Sequence, residues 1–353
     1  MSISATESPI LIIAPAWVGD MVMVSALTCH LQRQFPARPV DLLAPAWTLP
    51  IVRRLPHVRH ALEMPLGHGA FAPRHRWRLG VALRDQSYGQ AIILPRAWKS
   101  ALLPYAARIP QRTGFLGELR YGLLNDIRPL NKALLPRTVD RFMALGTPAH
   151  QPFTPPALPQ LALRYSAQAG LKVLARFTPE APQQRPWVAL CPGAEYGPAK
   201  QWPAHHFART AQAILGEGYG VMLLGSRKDA ALTAHICAQL PPSPHLLDLA
   251  GQTSLDEAVD LLAVAQTVIT NDSGLMHVAT AVERHVIALY GSSDPGHTPP
   301  LTEQADPLWL GLPCSPCFKR VCPEAHLNCL QQITPQQVLE RWQAQRERLN
   351  HGR

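Results

Sequence analysis

Short uninterrupted apolar runs punctuate this chain, each followed by a polar or glycine-bearing turn and then by a stretch of helical composition. Ile10–Ala14, Val40–Ala44 and Ala91–Leu94 are such runs in the first half, and Trp187–Cys191, Gly220–Gly225 and Val286–Tyr290 in the second. Runs this short, with no polar alternation, fit strands covered on both faces, as in a parallel sheet. His57–Leu66 and His245–Leu249 each carry a weaker strand signal. Between the strands, Met21–Phe35, Trp47–Leu55, Arg74–Leu83, Pro203–Leu215, Asp229–Leu240 and Ser254–Ala265 predict helices, the first two stopped by Pro36 and Pro56. Arg108 to Arg120 is expected to be a loop-rich region. Strand, loop and helix repeating in this way predict an α/β protein built from doubly wound parallel sheets.

The pattern breaks between Thr147 and Pro186, where prolines crowd around one helical segment, Ser166–Phe177. A domain junction is expected there, near Pro179–Pro186. At 353 residues the chain exceeds one typical domain. The expected organisation is a Rossmann-like domain over 1–180, a second over 186–335 facing it across a cleft, and a C-terminal segment 336–353. That segment holds most of a charged amphipathic helix, Thr334–Leu349.

One junction combines several signals. In Val268–Thr280 a β-branched run ends in Asn271-Asp272-Ser273-Gly274, and Leu-Met-His-Val-Ala-Thr then starts a helix. Ser273 or Asp272 is expected to cap that helix, while Gly274 lets a ligand approach the backbone. Amides at a helix start suit phosphate, and Asp272 beside them suits a sugar hydroxyl. Taken alone, the residues fit an ordinary cap equally well, and His277 one turn into the helix fits a structural role. Three further loops fall at strand ends. Pro192 to Trp202 carries Gly193, Ala194, Glu195 and Lys200, a mobile cation suited to phosphate. Gly225–Asp229 places an acid at a helix start, where ribose hydroxyls can be held, and Leu249–Ser254 adds Thr253 and Ser254. Together they point to a nucleotide diphosphate. The glycine fingerprints of nicotinamide enzymes and P-loop hydrolases are absent. In the first half, Gly19 and Asp20 follow the first strand, and Arg96 and Lys99 follow the fourth, all on the edge where open α/β sheets bind ligands.

Composition changes the picture at two points. The net charge of +9 is uneven: residues 1–150 hold 18 Lys and Arg against 8 Asp and Glu, leaving 15 against 16 in the remainder. The first half is therefore suited to an anionic partner, unless the excess only reflects an Arg-rich coding bias. Nucleic acid is disfavoured, because the arginines are scattered among apolar strands without an RNA-binding aromatic signature. The 7 cysteines include Cys314, Cys317, Cys322 and Cys329, enough for a zinc site but irregularly spaced. With no export signal and no apolar run long enough to span a bilayer, a cytoplasmic chain with a reduced cysteine-rich loop is expected.

The motifs Ala-Trp-Val-Gly-Asp20, Pro-Gly-Ala-Glu-Tyr-Gly-Pro-Ala-Lys200 with Trp202-Pro203, Asn-Asp-Ser-Gly-Leu-Met-His277, Tyr-Gly-Ser-Ser-Asp-Pro295 and Cys-Ser-Pro-Cys-Phe-Lys-Arg320 span nearly the whole chain. In them the chain closely resembles the ADP-heptose:lipopolysaccharide heptosyltransferases. The cysteine segment favours the type II branch over types I and III. The resemblance implies a GT-B glycosyltransferase that inverts the anomeric centre, uses neither metal nor cofactor, and has its C-terminal helix, 336–353, crossing back toward the first domain. It implies ADP-heptose in the second domain and a lipid-linked lipopolysaccharide inner-core acceptor in the first, with peripheral contact at the cytoplasmic face of the inner membrane. Asp20 is then the general base, and Lys200, with the amides around Ser273 and Gly274, neutralises the leaving diphosphate. Asp272 holds heptose hydroxyls, and Asp229 and Thr253 lie near ribose and adenine. A non-catalytic nucleotide-sugar sensor is the contrasting expectation, and Asp20 speaks against it.

Overall fold

The computed structural model describes residues 7–67, 69–178 and 182–351. The chain divides into two compact units, Met1–Arg164 and Tyr165–Arg353. In the first, β1 (Ile10–Ile13) leads to α1 (Val18–Gln34), β2 (Val40–Pro45) to α2 (Leu49–Arg54), β3 (His60–Met64) to α3 (Pro73–Ala82), and β4 (Gln90–Ile93) to α4 (Leu102–Ala106). β5 (Gln111–Phe115), β6 (Asp126–Arg128) and α5 (Thr138–Gly146) complete it. The second unit runs α6 (Ala167–Leu174), β7 (Trp187–Cys191), α7 (Ala204–Gly216), β8 (Gly220–Leu223), α8 (Ala230–Cys237), β9 (Leu246–Asp248), α9 (Leu255–Val264), β10 (Thr267–Asn271) and α10 (Gly274–Ala281). β11 (His285–Tyr290), β12 (Ala305–Trp309), α11 (Asn328–Gln331) and α12 (Pro335–His351) follow.

Both sheets are parallel throughout and share one strand order, β3-β2-β1-β4-β5-β6 and β12-β11-β10-β7-β8-β9. In each, the chain starts in the middle, builds outward on one side and then crosses to the other. The order therefore reverses between β1 and β4, and again between β7 and β10. Flanking loops there diverge to opposite faces and leave a crevice at the carboxyl ends of the two strands. The central strands carry the apolar runs: Ile10, Leu11 and Ile12 are fully buried, as are Val188, Ala189 and Leu190.

The expected loop-rich region, Arg108 to Arg120, holds the strand β5, and β6 follows it. β5 reads Gln-Arg-Thr-Gly-Phe, without an apolar run, and it pairs through a polar ladder instead. Gln90 Nε2 donates to Thr113 Oγ1 at 3.1 Å, and Thr113 Oγ1 donates to Asp126 Oδ2 at 2.9 Å, linking β4, β5 and β6. Part of the basic character of this region is also internal. Arg112 donates to the carbonyls of Leu123 and Ile109, both at 2.6 Å, and fully buried Arg120 donates to that of Pro95 at 2.7 Å. Burial pushes the Arg120 guanidinium down to about 10.

The domain junction precedes α6 instead of following it. α6 packs on α9, where the Ser166 amide donates to Asp260 Oδ1 at 2.8 Å and Gly170 lies so close that a Cβ would sit 2.1 Å from the Asp260 carbonyl oxygen. Within the expected junction, residues 179–181 lie outside the described residues. Val338 and Trp342 of α12 enter the second unit's core beside Trp202 and Ile333. Because Gly170 has no room for a side chain, Gly170→Val should cost about 2 kcal/mol of stability through forced separation of α6 from α9. Gly216→Ala, at the end of α7 with open space around it, should stay within about 0.5 kcal/mol of the unsubstituted protein. Urea unfolding followed by tryptophan fluorescence compares the two, and equal midpoints would remove Gly170 from the junction argument.

Candidate functional site

At the β7–β10 reversal the site is organised by an amide. Asn271 ends β10 fully buried; its Nδ2 donates to the Pro192 carbonyl at 2.7 Å and its Oδ1 accepts from the Trp202 amide at 3.0 Å. One side chain thus ties both ends of the loop that follows β7. Trp202 is itself anchored, its indole donating to the Ile333 carbonyl at 2.8 Å. Inside the loop, a single turn over Pro198–Lys200 brings Lys200 Nζ to 2.5 Å from Asp272 Oδ2. The aspartate side chain is 4% exposed and the lysine 17%, so the pair is nearly desolvated yet open on the lysine side.

A second support comes from the cysteine-rich segment. The Tyr196 ring lies 5.2 Å from both Lys200 Nζ and the Arg320 guanidinium. Tyr196 OH donates to the Phe318 carbonyl at 2.7 Å, and the Ala199 amide donates to that of Arg320 at 3.0 Å. Gly197, at φ +152°, is where this segment presses closest: a Cβ would meet the Arg320 oxygen at 2.5 Å. The segment is tied in turn to the end of β11, through Phe318 N to the Ser292 carbonyl at 2.7 Å and Ser315 Oγ to that of Gly291 at 2.6 Å. All seven cysteines are unpaired thiols, and among the described residues no three His, Cys, Asp or Glu side chains converge as metal ligands do.

The start of α10 corrects the expected cap. Ser273 occupies the N-cap position, but its side chain accepts nothing from the helix amides; its hydroxyl lies 3.3 Å from Thr270 Oγ1. Asp272 is committed to Lys200. The helix start at Gly274 therefore adds its amides and the positive end of its dipole beside the lysine, an arrangement that favours an anion. His277 sits one turn further on, 3% exposed. Burial pushes its imidazole down to about 4, with Asp272 opposing and Lys200 adding to the shift, so it is neutral at physiological pH.

The remaining candidates lie one and two strands away. Asp229 closes a capping box, its Oδ2 accepting from Ser226 N and Oγ, both at 2.8 Å. The same carboxylate covers Gly193, where a Cβ would stand 2.5 Å from it. Asp229 thus locks the β8 turn onto the β7 loop, and exposed Glu195 reinforces the link by pairing with Lys228. Ala194 is buried in the same loop and its carbonyl accepts from the Gly197 amide at 3.1 Å. Ser254 is spent on α9, whose Glu257 amide it caps at 3.1 Å, while Thr253 before it is half-buried. In the first unit, Gly19 and Asp20 fall inside the first turn of α1, which starts at Val18 and not at Met21, at the carboxyl end of β1. Trp47 Nε1 steadies that turn with a 2.9 Å bond to the Ala16 carbonyl. The structure therefore gathers Lys200, Asp272, Ser273, Gly274 and His277 at one reversal and places Asp20 at the other. Sequence reasoning passed over Asn271, Tyr196 and Arg320, although all three lie inside the motifs quoted above; each works through a partner distant in sequence.

Residues 76–328 match Glycosyltransferase family 9 (heptosyltransferase). The chain is 44% identical to Lipopolysaccharide heptosyltransferase 2 of Escherichia coli (strain K12) over 335 residues, 94% of this chain and 96% of the relative. It is 46% identical to Lipooligosaccharide heptosyltransferase 2 of Haemophilus influenzae, covering 84% of this chain and 87% of that one. The solved E. coli ADP-heptose lps heptosyltransferase II superimposes with a TM-score of 0.84 at 41% identity, covering 96% and 98% of the two chains.

The Asn271 clamp makes a measurable demand. Asn271→Leu leaves one buried carbonyl and one buried amide without partners, an expected cost of about 2 to 5 kcal/mol. Asn271→Asp keeps the acceptor for Trp202 N but sets a buried carboxylate against the Pro192 carbonyl, and should cost at least as much. Denaturant unfolding of both variants checks the order, and a leucine variant within about 0.5 kcal/mol of the parent would show that the loop does not hang on this residue.

Proposed function

Since the chain belongs to glycosyltransferase family 9, the heptosyltransferases, we propose that it moves L-glycero-D-manno-heptose from ADP-heptose to the first heptose of the lipopolysaccharide inner core, inverting the anomeric carbon without a metal. The observation that carries this reading is the Lys200–Asp272 pair at the β7–β10 reversal, beside the start of α10. A leaving diphosphate needs positive charge aimed at it, and the ammonium and helix amides supply that from the protein itself. Asp272, held by Lys200, is the acceptor for heptose hydroxyls. His277, being neutral, offers a hydrogen bond to sugar or phosphate and not a charge. Asp229 and Thr253, at the ends of β8 and β9, meet the ribose and adenine.

In the transfer, the acceptor hydroxyl oxygen attacks the anomeric carbon from the side opposite ADP. The bond from that carbon to the β-phosphate oxygen breaks, and its electron pair leaves with ADP. In this proposal Asp20 is the general base that takes the hydroxyl proton. Among the described residues no helix is long and apolar enough to cross a membrane. In the proposed reading the enzyme meets its lipid-linked acceptor as a peripheral protein on the cytoplasmic face. Mass spectrometry of a heptose-bearing core acceptor incubated with ADP-heptose and the enzyme tests the whole reading. An acceptor that gains no heptose would overturn it.

Two variants separate the roles. Asp20→Asn should leave ADP-heptose affinity nearly intact while lowering turnover at least ~10²-fold, the size of a general-base contribution. Turnover within a few-fold of the parent would return Asp20 to a helix-start role. Lys200→Ala should weaken ADP binding and slow turnover together, with a barrier increase of roughly 2 to 4 kcal/mol, because the ammonium acts on ground and transition states alike. Added Mg²⁺ should partly rescue it. Rates and ADP affinity measured in chelator and in Mg²⁺ decide, and parent activity that disappears in chelator would mean that a metal performs the task assigned to Lys200.

A further inference from the structure

The basic helix singled out in the sequence, α3, has no part in the site described, yet its outward face is unusual. Arg74, Trp77, Arg78 and Val81, spaced as one helical stripe, are all exposed, with Trp77 at 45%. Two aromatic pairs extend the stripe onto the segment that follows β4: Phe71 stands 5.2 Å from Trp98, and Trp77 6.2 Å from Tyr105, measured between ring centroids. All four rings are between 37% and 48% exposed. The display is built and not frayed. Gly80 brings α3 against α4 so closely that a Cβ would lie 2.5 Å from the Leu103 oxygen. Buried Arg76 donates to the Phe71 carbonyl at 2.9 Å and to that of Ala70 at 3.0 Å, and Arg84 to that of Ala106 at 3.0 Å. These two arginines hold the scaffold, whereas Arg74 and Arg78 on α3, and Arg96 and Arg108 on either side of Trp98 and Tyr105 in the sequence, are exposed. From Phe71 to Arg108 there are seven Arg and Lys against one acid, Asp85.

We propose that this α3–α4 face docks the enzyme on an anionic lipid bilayer, a reading that rests on the lipid-linked acceptor proposed above and names the surface that meets its membrane. The Trp77, Trp98 and Tyr105 rings, each with an apolar body and a polar edge, suit headgroup depth, and Phe71 adds an apolar ring beside them. Exposed guanidinium groups attract anionic headgroups. A second copy of the chain does not fit the face, since it would set the cations of one copy against those of the other. An acidic bilayer satisfies rings and cations together.

Co-sedimentation of the full chain with extruded vesicles tests this directly, using phosphatidylethanolamine with phosphatidylglycerol against pure phosphatidylcholine. The parent should partition onto the anionic vesicles at least tenfold more strongly, and added salt should weaken that preference. Arg74→Glu with Arg78→Glu should abolish the preference. Phe71→Ser with Trp77→Ser should lower binding to both vesicle types about tenfold. All four positions are exposed, so thermal midpoints should not move, and turnover on a delipidated, water-soluble acceptor should stay within twofold. Equal binding by parent and variants overturns the proposal. So does tighter binding of the parent to single-stranded nucleic acid than to the vesicles, or loss of turnover on the soluble acceptor, which would place the face in acceptor recognition. If the parent transfers no heptose to any acceptor, the functional reading fails while the vesicle result still decides the docking surface.

Discussion

A single buried amide holds the second unit's chemistry in place. Asn271 satisfies a carbonyl at one end of the loop after β7 and an amide at the other, so the loop that carries Lys200 is fixed to the strand that carries Asp272. An amide suits the task because it offers a donor and an acceptor at once without bringing charge into the core. The loop between the two anchors is then free to be shaped by its own contacts, and those contacts run outward to Arg320 and Phe318. The cysteine-rich segment thereby becomes the outer wall of the same construction, tied on its other side to the end of β11.

The Lys200–Asp272 pair follows from this rigidity. Two opposite charges can be kept nearly out of water only when each neutralises the other at close range. Placed in this way, the lysine side chain is held in one orientation at the reversal, beside the start of α10. His277 fits the same logic. Burial strips it of charge, so positive charge at this reversal comes from Lys200, with Arg320 against the same Tyr196 ring.

In the first unit, charge is divided between two uses. Arg76, Arg84, Arg112 and Arg120 turn inward and saturate backbone carbonyls, standing in for secondary-structure bonds where the chain is irregular. The exposed arginines around α3 and α4 remain as a surface field. Net charge counted along the sequence merges these populations, although only the second can act on a partner.

The apolar runs were enough to determine the central strands of both sheets, because a strand covered on both faces must be continuously apolar, and they carried the α/β class with them. The loops at the ends of those strands, with Lys200, Asp272, Gly193 and Asp20, were legible for the same reason: they are local in sequence. The strands β5 and β6 were not, because their pairing depends on Gln90, Thr113 and Asp126 meeting across three strands. Nor was the boundary between the units, which is set by α6 settling against Asp260 on α9, far along the chain. Asn271, Tyr196 and Arg320 were visible as letters but not as a clamp and a wall. Periodicity and turn chemistry act over a few residues and can be recognised from order alone, whereas a hydrogen bond spanning some 70 or 120 positions exists only once the strand order has brought its ends together, so tertiary structure decided which polar residues build the site and which merely stand near it.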